Sequence, residues 1–204
     1  MLVQMLSRKR KTKEPCDTCF LHESRCICEQ IPTLNLKTKV ALVVHYKELK
    51  RTTNTGRLAI KALTNSEMRI RGEEREALNL SDLLTPEYRS VLFYPSEEAV
   101  ELNPEFLEQE SKPLQLIVPD GNWRQASKVH TRHPELANLP RVMIKKPNHS
   151  LHHLRAETTP EGMATLQAIA EALGITEGPL VKKQMMDLYE AKLHATLKGR
   201  GQLS

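Results

Sequence analysis

The stretch LQLIVPDGNWRQASKVH, residues 114–130, decides the fold that the sequence predicts. It opens with a mainly apolar run, residues 114–118, whose length and β-branched content are typical of a buried strand. We expect Pro119 to end this strand, residues 120–122 to form a turn, and a helix to begin at Trp123. A strand that leads through such a turn into a helix predicts an α/β protein.

The turn carries candidate site residues. In open α/β sheets, ligands bind in the crevice at the carboxyl ends of the strands. Asp120, Gly121 and Trp123, the only tryptophan of the chain, stand at such an end and therefore indicate a site. The alternative is that Asp120 or Asn122 only caps the helix and that Trp123 only packs.

The length and composition set further bounds. The chain has 204 residues and a mass of 23.3 kDa, which suits one domain with a small appendage. Its apolar runs are all shorter than the roughly 18 residues that a membrane span needs. The first 15 residues do not resemble a signal peptide, since their charges follow the apolar stretch. We therefore expect a cytoplasmic protein with no membrane partner.

The net charge of +5 and a pI near 9.0 fit an anionic partner. Basic side chains are concentrated in two segments, residues 7–13 and residues 47–57. Such segments are often only solvated, but here they accompany a candidate site, and this favours RNA as the partner.

All four cysteines fall in one short segment with the spacing Cys-x2-Cys-x6-Cys-x-Cys. Without a secretion signal, a metal explains this clustering better than disulfides do. Four thiolates suit tetrahedral Zn²⁺ with no open position, so the site would be structural and the metal would supply folding free energy. Four ordinary thiols or an iron–sulfur cluster are the alternatives. The predicted zinc ligands are Cys16, Cys19, Cys26 and Cys28.

The sequence before the central stretch predicts a second strand and a polar loop. Residues 39–45 are apolar enough for a buried strand, and residues 58–63 are expected to form a helix. Between them, residues 54–57 read Asn-Thr-Gly-Arg and offer hydroxyl groups, backbone N–H groups and a guanidinium to an anion. The alternative is a helix cap followed by one solvated arginine.

The remaining sequence predicts fewer features. Further strands are expected at residues 89–94 and 141–144, and helices at residues 160–173, ended by Gly174, and at residues 180–197. The chain has no Gly-x-Gly-x-x-Gly sequence, which argues against a Rossmann-type cofactor site.

Three histidines lie close together, at His149, His152 and His153. No carboxylate is well spaced to complete a metal site with them, and the cysteine segment already explains metal binding. A solvated or RNA-contacting loop fits them better, with Arg155 as an anion anchor.

Residues 120–126, Asp-Gly-Asn-Trp-Arg-Gln-Ala, resemble the motif that names the DTW-domain family. The run formed by His45, Glu48 and residues 54–57 is similar to a His…Glu…Asn-Thr-Gly-Arg run of that family. The cysteine segment also resembles one that precedes the catalytic part of family members. The resemblance extends from Cys16 to Leu173.

Three positions depart from the family pattern. Asn122 stands where bacterial members more often have Thr, and Tyr46 stands where Pro is usual. In residues 164–168, Ala-Thr-Leu-Gln-Ala, Gln167 replaces the usual Glu, which removes a charge.

The resemblance implies a tRNA-uridine aminocarboxypropyltransferase that uses S-adenosylmethionine, modifies uridine at N3 (acp3U) and releases 5′-methylthioadenosine. The implied fold is α/β and SPOUT-like, with a knotted, mostly parallel sheet flanked by helices. On this basis we divide the chain into a basic arm (residues 1–14), a four-cysteine zinc segment (15–32) and a catalytic domain (33–204). The expected partner is tRNA, and no obligate protein partner is evident.

The resemblance also implies roles for individual residues. Asp120 and Trp123 are the expected catalytic residues, with Asp120 either accepting the uridine N3 proton or holding the ammonium group of the methionine arm. The expected ligands of S-adenosylmethionine are Pro119, Asp120, Gly121, Asn122, Trp123, Leu154, Arg155 and Thr165. The expected RNA contacts are Arg51, Asn54, Thr55, Arg57, Arg124 and Lys128. The rival functions are a methyltransferase of the same fold and a non-catalytic, zinc-containing RNA-binding protein.

Overall fold

The computed structural model describes residues 15–72, 78–145, 154 and 162–202, and for Trp123 and Arg124 it describes the backbone. Some residues that the sequence singles out therefore lie outside the described residues. They are the basic arm (residues 1–14), His149, His152, His153 and Arg155.

The described residues form six strands, six α-helices and five short 3-10 helices. The strands are β1 (Lys39–His45), β2 (Ser66–Arg71), β3 (Arg89–Phe93), β4 (Val100–Glu101), β5 (Leu114–Asp120) and β6 (Arg141–Met143). The helices are α1 (Gly56–Ala62), α2 (Pro104–Glu108), α3 (Trp123–Ala126), α4 (Val129–Arg132), α5 (Thr165–Thr176) and α6 (Pro179–Gly199). None of the described helices has both the length and the apolar character needed to cross a lipid bilayer.

All six strands belong to one sheet, in the order β2-β1-β5-β3-β6-β4, and every neighbouring pair is parallel. The prediction of an α/β protein with a mostly parallel sheet flanked by helices is confirmed, whereas the knot stays a prediction. Val44 of β1 is paired with Ile70 of β2 on one side and with Asp120 of β5 on the other. The carboxyl ends of these three strands therefore lie side by side.

The central strands β1 and β5 are buried on both faces, which explains why each reads as a nearly continuous apolar run. Leu42 and Leu116 pack into a large core that also contains residues of α1, α5 and α6. Val43 and Ile117 point the other way, into a smaller core. Cys19 of the cysteine segment belongs to the larger core, so the segment packs onto the same apolar cluster as the sheet.

The expectation that Pro119 ends the central strand is wrong. β5 continues to Asp120, with Pro119 paired with Val43 and Asp120 with Val44. Proline lacks an N–H group and removes one ladder hydrogen bond, but near the end of a strand this loss is tolerated. As a consequence Asp120 is fixed by the sheet itself and not by the turn that follows.

The expectation that Gly174 ends a helix is also wrong, because α5 runs through it to Thr176. A Cβ atom at this position would lie 2.8 Å from Cδ of Lys182 in α6. Glycine therefore permits close packing of α5 against α6 instead of terminating α5. The sequence also predicts that this helix begins at residue 160, but the described residues 162–164 are not helical and α5 begins at Thr165. The other predicted strands and helices agree with the structure to within two residues at each described end.

Candidate functional site

The carboxylate of Asp120 is held by two side chains from distant parts of the sequence. Asn54 donates from Nδ2 to Oδ2 at 2.5 Å, and Thr165 donates from Oγ1 to Oδ1 at 2.6 Å. Asp120 is only 6% exposed, at the carboxyl end of β5. With a donor on each oxygen, the carboxylate is fixed in one orientation, and we call this arrangement the Asp120 clamp.

The loop that supplies Asn54 also holds two helices. Asn54 accepts a hydrogen bond at Oδ1 from the backbone N–H of Arg57, in the first turn of α1. The hydroxyl of Thr55 accepts one at 3.1 Å from the backbone N–H of Leu166, in the first turn of α5. The residue at the N-cap of α5, Ala164, has no side chain that could do this. Asn54 and Thr55 thus join α1, α5 and β5 at a single point.

Gly56 allows this loop to approach the strand. A Cβ atom there would lie 3.1 Å from both methyl groups of Leu42 and 3.3 Å from Oδ2 of Asp120. Any side chain would therefore press on the carboxylate that Asn54 holds.

The turn after Asp120 ends in a reciprocal helix cap. Asn122 accepts at Oδ1 from the backbone N–H of Gln125, and its own backbone N–H donates to Oε1 of Gln125, each at 2.9 Å. A Cβ atom on Gly121 would lie 2.9 Å from Gln125, which explains the glycine. Asn122 therefore caps the helix that begins at Trp123, whereas Asp120 is bound by the clamp.

The structure brings together Asp120 and Thr165 from the residues expected to bind S-adenosylmethionine. Pro119 precedes Asp120 in the same chain segment, and Gly121, Asn122 and the backbone of Trp123 follow it. Leu154 is buried, and its carbonyl oxygen accepts a hydrogen bond from Nη2 of Arg200 at 3.1 Å.

Of the residues expected to contact RNA, the structure places Asn54 and Thr55 in the interior, 4% and 3% exposed. Their polar groups bond to the protein, so burial argues against direct contact of these two with RNA. Arg51 is exposed, with its Nε 3.1 Å from Oε1 of the buried Glu48. Lys128 is half-buried, immediately before α4.

Arg57, another expected RNA contact, connects the site loop to the cysteine segment. Its guanidinium donates to the carbonyl oxygens of Leu49 at 2.9 Å and of Asp17 at 3.5 Å. It also lies over the ring of Phe20, with Cζ 4.3 Å from the ring centre. Burial lowers the pKa of Arg57, and the nearby charge of Asp17 opposes this. The guanidinium of Arg57 is thus bound to other groups of the protein.

The four cysteines form a compact cluster that fits a metal ion. Their Sγ atoms all lie within 4.8 Å of one another, and three of the separations are 3.5, 3.7 and 3.8 Å. Tetrahedral Zn²⁺ with Zn–S bonds of about 2.3 Å requires S···S separations of about 3.8 Å. None of the four cysteines is in a disulfide. We call Cys16, Cys19, Cys26 and Cys28 the four-cysteine cluster.

The surroundings of the four-cysteine cluster favour thiolates unequally. Backbone N–H groups of Cys19 and Thr18 point at Cys16 and lower its pKa to about 7. Burial raises the pKa of Cys19 and of Cys28. A metal ion that deprotonates all four would offset this cost.

Lys192 of α6 is a functional candidate that the sequence analysis did not identify. It is fully buried, and its Nζ donates to the carbonyl oxygen of Cys19 at 2.5 Å. Burial lowers the pKa of Lys192 to about 8, while charge on the neighbouring thiols of Cys19 and Cys16 raises it. Helical periodicity could have revealed this residue, because Lys192 lies seven positions after the buried Met185, on the apolar face of α6.

Comparison with known families covers most of the chain, since the model of the DTW domain matches residues 13–197. The chain belongs to the DTW-domain family. The matched DTW region contains both the Asp120 clamp and the four-cysteine cluster. No solved structure matches the chain significantly.

Several named proteins are similar to this DTW-domain chain, and each is called tRNA-uridine aminocarboxypropyltransferase 2. The protein from Macaca fascicularis is 24% identical over 82% of this chain and 58% of its own length. The protein from Mus musculus is 26% identical over 79% of this chain and 56% of its own length. The protein from Drosophila melanogaster is 24% identical over 81% of this chain and 67% of its own length. The chain thus spans somewhat more than half the length of its mammalian relatives.

Proposed function

We propose that this chain is a tRNA-uridine aminocarboxypropyltransferase that uses S-adenosylmethionine as the donor and N3 of a tRNA uridine as the acceptor. The observation that carries the proposal is the Asp120 clamp, which assembles Asn54, Thr165 and the DTW motif at the carboxyl ends of parallel strands. Membership of the DTW-domain family and the names of the relatives support it.

The reaction exchanges one bond for another. A bond forms between uridine N3 and the γ-carbon of the methionine arm, the bond from that carbon to the sulfonium breaks, and its electron pair stays on sulfur. 5′-Methylthioadenosine leaves as a neutral thioether, so the site does not need a general acid for the leaving group. The N3 proton has to be accepted by the protein or by water, and the correct carbon has to be oriented towards N3.

Asp120 is suited to one of two roles in this reaction, accepting the N3 proton or holding the ammonium group of the donor. An ionised carboxylate only accepts hydrogen bonds, and Asn54 and Thr165 each provide a donor to it. Asp120→Asn separates the roles. Loss of an ammonium anchor raises KM for S-adenosylmethionine, whereas loss of a proton acceptor lowers kcat and changes its pH profile.

The other proposed roles are supportive. Thr165 orients Asp120, and Pro119, Gly121, Asn122, Trp123, Leu154 and Arg155 remain candidates for holding the donor. Arg51, Arg124 and Lys128 remain candidates for RNA phosphates. The four-cysteine cluster would hold a structural Zn²⁺, because four thiolates leave no coordination position open for substrate. A knotted SPOUT-like topology and a cytoplasmic location belong to the same proposal.

The test is to incubate the protein with unmodified tRNA and S-adenosylmethionine and to identify the small-molecule product. We expect 5′-methylthioadenosine, together with its loss in Asp120→Ala and its retention in Asp82→Asn, a matched change at an exposed aspartate. S-Adenosylhomocysteine would instead identify a methyltransferase. Binding of tRNA without either product would leave the non-catalytic RNA-binding protein.

A further inference from the structure

Basic side chains lie beside the Asp120 clamp: His45, Lys47 and Arg71 stand at or just after the carboxyl ends of β1 and β2, and Arg132 of α4 is near enough for its charge to act on His45 and Arg71. We call His45, Lys47, Arg71 and Arg132 the basic patch. His45 is paired with Arg71 across β1 and β2, one position after the level at which Val44 is paired with Asp120. Two strand spacings of about 4.8 Å place the backbone of Arg71 about 10 Å from that of Asp120.

Arg71 forms the inner wall of the basic patch, and its hydrogen bonding is incomplete. It is 4% exposed, and its Nη2 donates to the carbonyl oxygen of Gln125, next to the end of α3. Among the described residues, its buried Nε has no hydrogen-bond partner and no carboxylate forms an ion pair with the guanidinium. A buried guanidinium with an unused N–H is costly unless an anion or water completes it.

Lys47 and Arg132, at the outer side of the basic patch, add positive charge that the described carboxylates do not balance. Burial lowers the pKa of His45, and the charges of Arg71, Lys47 and Arg132 lower it further. The acidic side chain that opposes them is Glu48, which is buried and lies 3.1 Å from Nε of Arg51. Lys47 and Arg132 are exposed, so an anion can approach from solvent.

We propose that the basic patch binds a backbone phosphate of the RNA strand whose target nucleotide lies at Asp120. This inference rests on the proposed function and adds the place where the RNA strand is held. A guanidinium at the inner wall and a second one at the rim suit phosphate oxygens, which accept several N–H bonds at once. The separation of about 10 Å from Asp120, two strand spacings, leaves room for a nucleotide between the phosphate and the reacting base.

The basic patch differs from the residues that the sequence predicts as RNA contacts. Asn54, Thr55 and Arg57 of that predicted set have their polar groups engaged within the protein. None of the four basic-patch residues belongs to the predicted set of contacts, although Lys47 opens the basic segment of residues 47–57. Arg71 and Arg132 are far apart in the sequence, and only the fold brings them near enough to interact electrostatically.

The first measurement is the affinity of the full chain for tRNA as a function of salt, by fluorescence anisotropy. Arg132→Gln and Lys47→Gln each remove an exposed charge and should leave the fold intact. Each is expected to weaken tRNA binding about fivefold to tenfold at low salt, and Arg132→Gln is expected to reduce the slope of log K against log salt by about one. Lys112→Gln is the matched control, since Lys112 is half exposed and lies before the opposite end of β5. It should bind as the wild type does.

The second measurement is the affinity of the same variants for S-adenosylmethionine without tRNA. The proposal expects it to be unchanged. If Arg132→Gln weakens S-adenosylmethionine binding and leaves tRNA binding intact, the anion is the carboxylate of the donor, and the phosphate assignment is wrong. If neither affinity changes, the patch binds no substrate anion. Release of 5′-methylthioadenosine by the wild type tests the proposed function separately, so failure of one proposal is distinguishable from failure of the other.

Discussion

The Asp120 clamp and the four-cysteine cluster organise polar side chains in opposite ways. The clamp joins residues that are 66 and 45 positions apart and holds a carboxylate with two neutral donors. The four-cysteine cluster joins residues from one short segment whose groups repel one another once ionised. The clamp is therefore complete when the sheet and α5 are formed, whereas the four-cysteine cluster, once ionised, would be stabilised by a cation.

The two regions differ also in how they are connected to the core. Asp120 is the last residue of the central strand β5, and the pairing of its backbone with β1 holds it in the sheet. The cysteine segment is connected through side chains, since Cys19, Leu21 and Ile27 belong to the larger core and Arg57 and the buried Lys192 donate hydrogen bonds to its backbone. Substitutions in the two regions are expected to lower the free energy of unfolding by different amounts, given below from the largest to the smallest.

The largest effect is expected from Cys19→Ser. Loss of one ligand opens the tetrahedral site, so we expect metal content to fall from about one ion per chain towards zero. The free energy of unfolding should fall by more than about 4 kcal/mol, which is the range of lost metal sites. Elemental analysis and chemical denaturation measure both quantities. Ser24→Ala, an exposed change in the same segment, should alter neither. Full metal retention in Cys19→Ser would contradict the metal site.

Asn54→Asp is expected to break the clamp by replacing a donor with a second carboxylate. The free energy of unfolding should fall by about 3 kcal/mol at pH 8. One carboxyl of the pair acquires a raised pKa in the folded state. The stability of the variant is therefore retained at low pH, where that carboxyl is protonated, and is lost as pH rises and both carboxyls ionise. The deficit relative to the wild type should therefore be smaller at pH 5 than at pH 8.

The matched control for Asn54→Asp is Asn103→Asp, because Asn103 caps α2 through an oxygen that aspartate also has. A deficit in Asn54→Asp that does not depend on pH would contradict charge repulsion as the cause.

Lys192→Met sharpens the comparison by testing the counter-charge of the four-cysteine cluster. Four thiolates and Zn²⁺ carry a net charge of minus two, so loss of the buried ammonium should destabilise the metal-loaded protein by about 2 kcal/mol. In protein that a chelator has freed of metal, the loss of stability should be smaller, because the substitution then removes a buried ammonium that has no metal–thiolate charge to compensate it. The rate of metal transfer to a chromogenic chelator provides an independent readout and should rise. Lys198→Met, at an exposed position of α6, is the control. Equal losses with and without metal would show that Lys192 only packs.

The smallest effect is expected from Thr55→Val, which keeps the shape of the side chain but leaves the N–H of Leu166 without its acceptor. We expect a loss of about 1 kcal/mol in the free energy of unfolding, as for other helix caps. Thr52→Val, in the same loop, is the control. An unchanged stability would mean that water replaces the hydroxyl at the start of α5.

Local patterns predict local features of this protein well. The spacing of the cysteines is enough to predict the four-cysteine cluster, and the apolar runs predict β1 and β5. The position of Asp120 at a strand end follows from the same pattern. The donors to the Asp120 carboxylate do not follow from the sequence pattern, because no local feature of Asn54 indicates a carboxylate 66 residues away. For the same reason, the sequence assigns Asn54 and Thr55 to RNA, whereas the structure places them in the interior.

Errors at single residues have a similar origin. Gly174 has the features of a helix end, and only the position of Lys182 in the next helix explains why α5 continues. Pro119 has the features of a strand end, but a strand near its last residue tolerates the missing N–H group. In both cases a neighbouring element determines where the helix or strand ends: α6 packs against Gly174, and β1 pairs with Pro119.

The capping of α5 by Thr55 has a consequence for the order in which the site forms during synthesis. Thr55 and Leu166 are 111 residues apart, and Asp120 lies between them. At about 5–20 residues per second, a ribosome needs roughly 6 to 22 s to add that length of chain. A nascent chain that already contains the loop, the strands and the DTW motif therefore still lacks Thr165, and the site is completed only when α5 has emerged.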